Sequence, residues 1–153
     1  MSSTKTVVGQ GFGAQVNVTV ADLGGPDANC NVTLYANGAL IGTENMLNVS
    51  GWGSANACFT WNTTGFAYGN YTLSATIDST NSTVTSGVVT VTIPGDINGD
   101  GTVDIYDAIA LASAYNSSPG SPNWNPNADI LGDGIVDIYD AIALASHYGQ
   151  SIP

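Results

Sequence analysis

The sequence predicts an antiparallel β-sandwich of about seven strands over residues 1–94, followed by a small α-helical module over residues 95–153. Three observations carry this reading. Short runs of β-branched and aromatic residues alternate with polar ones through the N-terminal part. Composition changes at Pro94-Gly95, from Thr, Val, Asn and Gly to Asp clusters followed by Ala/Ile/Leu runs. Beyond that point a segment repeats: DGTVDIYDAIALASAY from Asp100 and DGIVDIYDAIALASHY from Asp133 agree at 14 of 16 positions, 33 residues apart.

The strands follow in order. VNVTVADL (Val16 to Leu23), CNVTLYA (Cys30 to Ala36), ACFTWNT (Ala57 to Thr63), YTLSATI (Tyr71 to Ile77) and VVTVTI (Val88 to Ile93) show the period of two that marks a half-buried strand. Asn37-Gly38, between LYA and ALIG, predicts a two-residue hairpin because both residues tolerate positive φ. The segment TKTVVGQGF (Thr4 to Phe12) reads as a strand able to leave its own sheet and complete a neighbour's. Trp61 is expected in the core. In AIALASAY and AIALASHY apolar residues fall on nearly all sides. Each helix is therefore expected to be covered on two fronts, by the module core and by the first domain or another molecule.

Charge narrows the partners. The 153 residues carry 12 acidic side chains against one basic one, Lys5, for a net charge of −11. A chain with one Lys and no Arg lacks the positive footprint for nucleic acid or anionic membranes. No apolar stretch approaches the roughly 20 residues of a membrane span, so neither nucleic acid nor membrane insertion is expected. Asp22, Asp27, Glu44 and Asp78 are scattered before the composition break. The other eight acids form two clusters, Asp96, Asp100, Asp104, Asp107 and Asp129, Asp133, Asp137, Asp140.

Each cluster fits the calcium-loop template D-x-[DN]-x-D-G with a carboxylate at position 12. In the first loop Asp96, Asn98 and Asp100 hold positions 1, 3 and 5, and Gly101 supplies the turn at 6. Thr102 offers its backbone carbonyl at 7, Asp104 acts at 9 and Asp107 closes at 12. In the second, Asp129, Asp133, Gly134, Ile135, Asp137 and Asp140 keep positions 1, 5, 6, 7, 9 and 12. Position 3 there is Leu131, which cannot ligate, so the second site is expected to be the weaker. Calcium is a hard ion taking roughly six to eight oxygens, while magnesium demands near-octahedral geometry and keeps its waters. Two calcium ions are therefore expected; the alternative is a pair of solvated acidic loops.

These paired loops, each followed by a single helix and with Val103 and Val136 at position 8, resemble a dockerin module over residues 95–149. The resemblance implies an EF-hand-like pair without entering helices and a cohesin partner. It also implies partner-reading residues at loop positions 10 and 11, here Ile105, Tyr106, Ile138 and Tyr139. Packing of both pairs inside the module is the alternative. The stretches VNVTVADLGGPDANCNVTLYANGALIGT, FTWNTTGFAYGNYTLSATI and VVTVTI resemble CARDB and related immunoglobulin-like modules of prokaryotic, archaeal-type surface proteins. That resemblance covers most of residues 7–93 and implies spacer, adhesion or assembly units without catalytic residues.

Cys30 and Cys58 each lie near the start of a predicted strand and are expected to form a disulfide in an exported protein; two separate thiols are the alternative. Seven N-x-[ST] sequons, at Asn17, Asn31, Asn48, Asn62, Asn70, Asn81 and Asn116, favour a glycosylated, extracellular or cell-surface protein. The N-terminus MSSTKTVVGQ lacks the signal-peptide pattern, so a leader is expected to have been removed or left out of this sequence. No Ser/His/Asp or Cys/His arrangement is supported by spacing, and His147 reads as a helix-surface residue, so an enzyme is not expected. The sequence thus reads as a calcium-stabilised structural or adhesion protein, a cell-surface or filament subunit. Its partner is expected to be a copy of itself or a cohesin-like domain. The alternatives are a docking module on a cohesin-bearing scaffold, and a carbohydrate-binding module using Trp52, Trp61, Trp124 and the seven tyrosines.

Overall fold

The computed structural model describes residues 1–80 and 82–153. Among these, eight strands precede two helices. The strands are β1 (Ser2–Ser3), β2 (Val7–Gly9), β3 (Gly13–Ala21), β4 (Ala28–Ala36), β5 (Ala39–Val49), β6 (Ser54–Asn62), β7 (Gly69–Ile77) and β8 (Ser82–Thr92). The helices are α1 (Ile105–Ala114) and α2 (Ile138–His147). The strands form two sheets, in the orders β1-β3-β6 and β2-β8-β7-β4-β5.

Period-two alternation explains each main strand. β3 buries Val16, Val18 and Val20; β4 buries Cys30, Val32, Leu34 and Ala36; β6 buries Ala57, Phe59 and Trp61; β7 buries Leu73 and Ala75. The residues between them are exposed or half-buried. Trp61 is in the core as expected, edge-to-face with Tyr71 at 5.5 Å between ring centroids. Asn37 and Gly38 take φ of 46° and 83°, and Ala36 pairs with Ala39 across the predicted hairpin. The second arm, β5, runs far beyond ALIG. It is largely exposed, without a clean alternation, so the sequence does not mark its end. One pairing departs from the antiparallel expectation: β2 runs parallel to β8, with Val7 opposite Thr90 and Gly9 opposite Thr92. A parallel pair cannot come from a tight turn, and no local signal announces it.

The expected disulfide is not formed; both thiols are free. Cys30 lies on the buried face of β4, while Cys58 is on the exposed face of β6, between buried Ala57 and Phe59. Turning Cys58 inward requires a one-residue slip that would expose the whole apolar set of that strand. Burial raises the pKa of the Cys30 thiol, and the nearby negative charge of Asp78 adds to it. A disulfide-exchange reagent is therefore expected to label one thiol quickly in the folded protein and two after denaturation. Two thiols that stay unreactive in denaturant would reinstate the bridge.

The chain divides into two compact units, each discontinuous in sequence. One comprises Met1–Ser3, Gln15–Trp61 and Tyr71–Val88; the other comprises Thr4–Ala14, Asn62–Asn70 and Val89–Pro153. The second unit thus joins three separate stretches of chain. Its core is Ile93, Ile97, Val103, Leu111, Ala114, Ala128, Ile130, Val136 and Leu144, with Phe12, Trp124 and Ile152 packed against it. Segment 4–12 is tied into this unit. Thr6 and Val7 donate their N–H groups to Asn127 Oδ1 at 3.1 and 3.2 Å, and Asn127 Nδ2 donates to Thr6 Oγ1 at 3.0 Å. Thr63 Oγ1 reaches Gly9 O at 2.9 Å and Phe12 O at 2.8 Å. Among the described residues, no helix is long and apolar enough to cross a membrane.

Candidate functional site

Both aspartate clusters fold into loops that start a helix. Asp104 is the N-cap of α1, its side chain accepting the Tyr106 N–H at 2.8 Å, while Asp107 Oδ2 accepts the Asp104 N–H at 2.9 Å. Asp137 and Asp140 repeat this capping box at α2, at 2.7 and 2.9 Å. The carboxylates at positions 9 and 12 therefore have a second duty: they satisfy helix-start N–H groups that would otherwise be orphaned.

The rest of each loop is held alike. Asp96 Oδ1 accepts from Gly99 N (2.7 Å) and Asp100 N (3.2 Å), and its Oδ2 from Gly101 N (2.9 Å). Asp129 accepts from Gly132 N, Asp133 N and Gly134 N at 2.8, 3.1 and 3.1 Å. Position 6 needs glycine in both copies: Gly101 and Gly134 have φ of 89° and 91°. Across the loop, Asp107 Oδ1 accepts from Ile97 N and Asn98 N, and Asp140 Oδ1 from Leu131 N. At position 3, Asn98 Nδ2 reaches Asp100 Oδ2 at 2.9 Å. Leu131, its counterpart, is an exposed apolar side chain.

Position 8 joins the two halves. Val103 N donates to Gln150 O at 2.9 Å and Gly149 N to Val103 O at 2.8 Å. Val136 N donates to Ser117 O at 3.0 Å and Asn116 N to Val136 O at 2.8 Å. Each loop is thus clasped by the chain that follows the other helix. Repeat identity does not predict this reciprocity, because the clasping segments lie outside the repeated cores.

The electrostatics of the loops favours a bound cation. Asp96, Asp107, Asp129 and Asp140 are all buried, at 5% exposure or less. Against these four carboxylates the chain sets one ammonium, Lys5, also buried, whose Nζ donates to Asp129 O. Burial lowers the pKa of Lys5, opposed by the charges of Asp129, Asp140 and Asp133. Burial raises that of Asp129, opposed by Lys5 and by the N–H groups of Gly134 and Gly132. Buried carboxylates without a counter-charge are costly. The donor set is all hard oxygen, which fits calcium. Among the described residues no three His, Cys, Asp or Glu side chains are gathered as a metal cage, and the carboxylates at positions 1 and 12 accept backbone N–H groups. The residues fit the ion by donor type, order and charge.

The residues at positions 10 and 11 are exposed and not packed inside: Ile105, Tyr106, Ile138 and Tyr139 are 54%, 67%, 53% and 62% accessible. Ile109 and Ile142, one turn further on, are exposed with them. The sequence reading missed these two, although their i, i+4 spacing from Ile105 and Ile138 was legible. Leu111, Ala114 and Leu144 take the buried side. The remaining candidates do not converge on a site. Trp61 is in the core and Trp124 packs on the core of its own unit, which leaves Trp52 as the exposed one of the three. His147 holds its Nδ1 2.9 Å from Ala143 O on the last turn of α2. Of the sequons, Asn48, Asn62, Asn70 and Asn116 are exposed, Asn17 and Asn31 are half-buried, and Asn81 lies outside the described residues.

A family model described as CARDB matches residues 1–87, and one described as the dockerin type I domain matches residues 94–147. Among solved structures, the chain is similar to a crystal structure of a CARDB domain from Pyrococcus furiosus in complex with di-metal ions. Identity is 25%, coverage is 60% of this chain and 88% of that one, and the TM-score is 0.51. A solution structure of a CARDB domain from the same organism gives 27% identity, 56% and 84% coverage and a TM-score of 0.46. A type II cohesin–X–dockerin complex from Acetivibrio cellulolyticus gives 17%, 90% and 96%, and 0.33. No curated protein matches the chain.

Proposed function

Because the chain belongs to the CARDB family and also carries a dockerin type I domain, we propose that it is a calcium-stabilised docking protein of the cell surface. Both kinds of domain are non-catalytic interaction modules, typical of extracellular proteins. Residues 1–94 act as the spacer or adhesion domain and residues 95–153 as the docking domain. Calcium is held at two sites, by Asp96, Asn98, Asp100, Thr102, Asp104 and Asp107 in the first, and by Asp129, Asp133, Ile135, Asp137 and Asp140 in the second. The ion supplies the positive charge that the buried carboxylates lack. The chain's own residues shape the loops, cap the helices and set the helix starts in place.

The observation that carries this reading is the duplicated face Ile105-Tyr106-Ile109 and Ile138-Tyr139-Ile142, exposed at the starts of two helices that pack on each other. Large exposed aromatics are the usual anchors of a protein interface. They fit a folded partner with an apolar contact surface, of the cohesin type. The hydrogen-bonded anchorage of segment 4–12 favours docking through this face over exchange of the N-terminal strand. Export implies glycans on exposed sequons, which mass spectrometry of native protein would reveal.

Calorimetry with isolated cohesin domains as probes, in calcium, tests the assignment. Binding is expected, and the double variant Tyr106→Ala/Tyr139→Ala should weaken it about a hundredfold or more. Sedimentation of the chain alone addresses the other partner. Calcium-dependent self-association that the same double variant removes would make a second copy the partner. Binding to neither would sink the docking reading.

A further inference from the structure

We propose that Lys5 is a tethered cation that does at the second loop part of what a calcium ion does at the first. The inference rests on the calcium reading above. The two loops share their backbone hydrogen bonds but differ in two respects. Position 3 is Asn98 in the first and the non-ligating Leu131 in the second. The second also receives Lys5, the only Lys or Arg in the chain, 5% exposed, its Nζ donating to the backbone carbonyl of Asp129 and lying beside Gly132 of the same loop. No basic residue remains for the first loop; there Asp96 Oδ2 takes a hydrogen bond from the Thr92 hydroxyl.

An ammonium is rarely buried without negative partners, because its desolvation goes uncompensated. Here the nearby negative charges are those of Asp129, Asp140 and Asp133, the carboxylates assigned above to calcium. The placement is secured next door, where Thr6 and Val7 donate to Asn127, two residues before Asp129. An ion entering the second loop meets a fixed positive charge, and an ion entering the first does not. The chain is thus built for one tight calcium ion, with the second loop folded around an internal cation.

Calorimetric titration of the metal-free full chain with calcium chloride tests this, comparing wild type, Lys5→Met, Leu131→Asn and the double variant. Wild type is expected to take one tight ion. Lys5→Met should strengthen the second site about tenfold or more, the size of losing a like charge at close range. Leu131→Asn should gain more in the Lys5→Met background than in wild type. Two equal sites in wild type, unchanged by Lys5→Met, would overturn the proposal and leave the calcium reading standing. No calcium at either loop would overturn both. Should Lys5→Met fail to fold, amide exchange of wild type decides. In chelator, Gly132 and Gly134 are expected to stay protected while Gly99 and Gly101 exchange; equal loss in both loops overturns the proposal.

Discussion

Replacing Asp107 with Ala is expected to abolish ion binding at the first loop and to destabilise its unit by about 3–5 kcal/mol. The side chain is fully buried and accepts three backbone N–H groups, from Ile97, Asn98 and Asp104, at 2.8–3.1 Å. Its removal leaves three amides unpaired, opens the capping box of α1 and deletes the proposed closing ligand. Asp107→Asn separates these roles. Its carbonyl oxygen can still serve Ile97 and Asn98, but its NH₂ would face the Asp104 N–H, donor against donor. Partial stability without tight calcium is expected. Chemical denaturation and calcium titration of the two variants give the measurement, and a tight first site in Asp107→Ala would refute the ligand assignment.

Chelation should produce the other large effect. An ion held only by the folded form contributes about 4 kcal/mol at a thousandfold excess over its dissociation constant. Without it, the buried Asp96 and Asp107 side chains have no cation beside them. The unit that loosens is not simply residues 95–153, because 4–14 and 62–70 belong to the same compact body. In chelator, heating is expected to melt the helices first. Amides of Gln10, Thr63 and Thr90 should lose exchange protection with them, while those of Val32, Leu34 and Leu73 remain protected to a later transition. A single transition at the same temperature with and without calcium would refute a structural role for the ion.

Much of this was legible in the residues. Period two placed β3, β4, β6 and β7 within two or three residues at each end, because each buries one face and the other must stay polar. Asn37-Gly38 fixed its hairpin by steric tolerance of positive φ alone. The turn of each loop was readable, since the positive φ of Gly101 and Gly134 asks for glycine; that the loops hold calcium is the reading proposed above. The length of β5 was not readable, because a mostly exposed strand is not constrained to alternate. The cysteine pairing failed for a different reason: lying near the start of a strand does not say which face of it a residue takes, and Cys30 and Cys58 take a buried and an exposed face.

The sequence by itself determined that there is a sandwich, that two acidic loops start two near-identical helices, and that these loops ask for a hard cation. Those are local facts of periodicity, turn sterics and donor chemistry, each contained within a dozen or so residues. Only the tertiary structure decided that β2 joins β8 in parallel and that each loop is clasped by the chain after the opposite helix. It alone brought Lys5 to Asp129, which lies 124 residues further along the chain. Such contacts depend on long-range closure, where the pairing is chosen by burial and charge balance across the whole unit and not by any signal in the neighbouring residues.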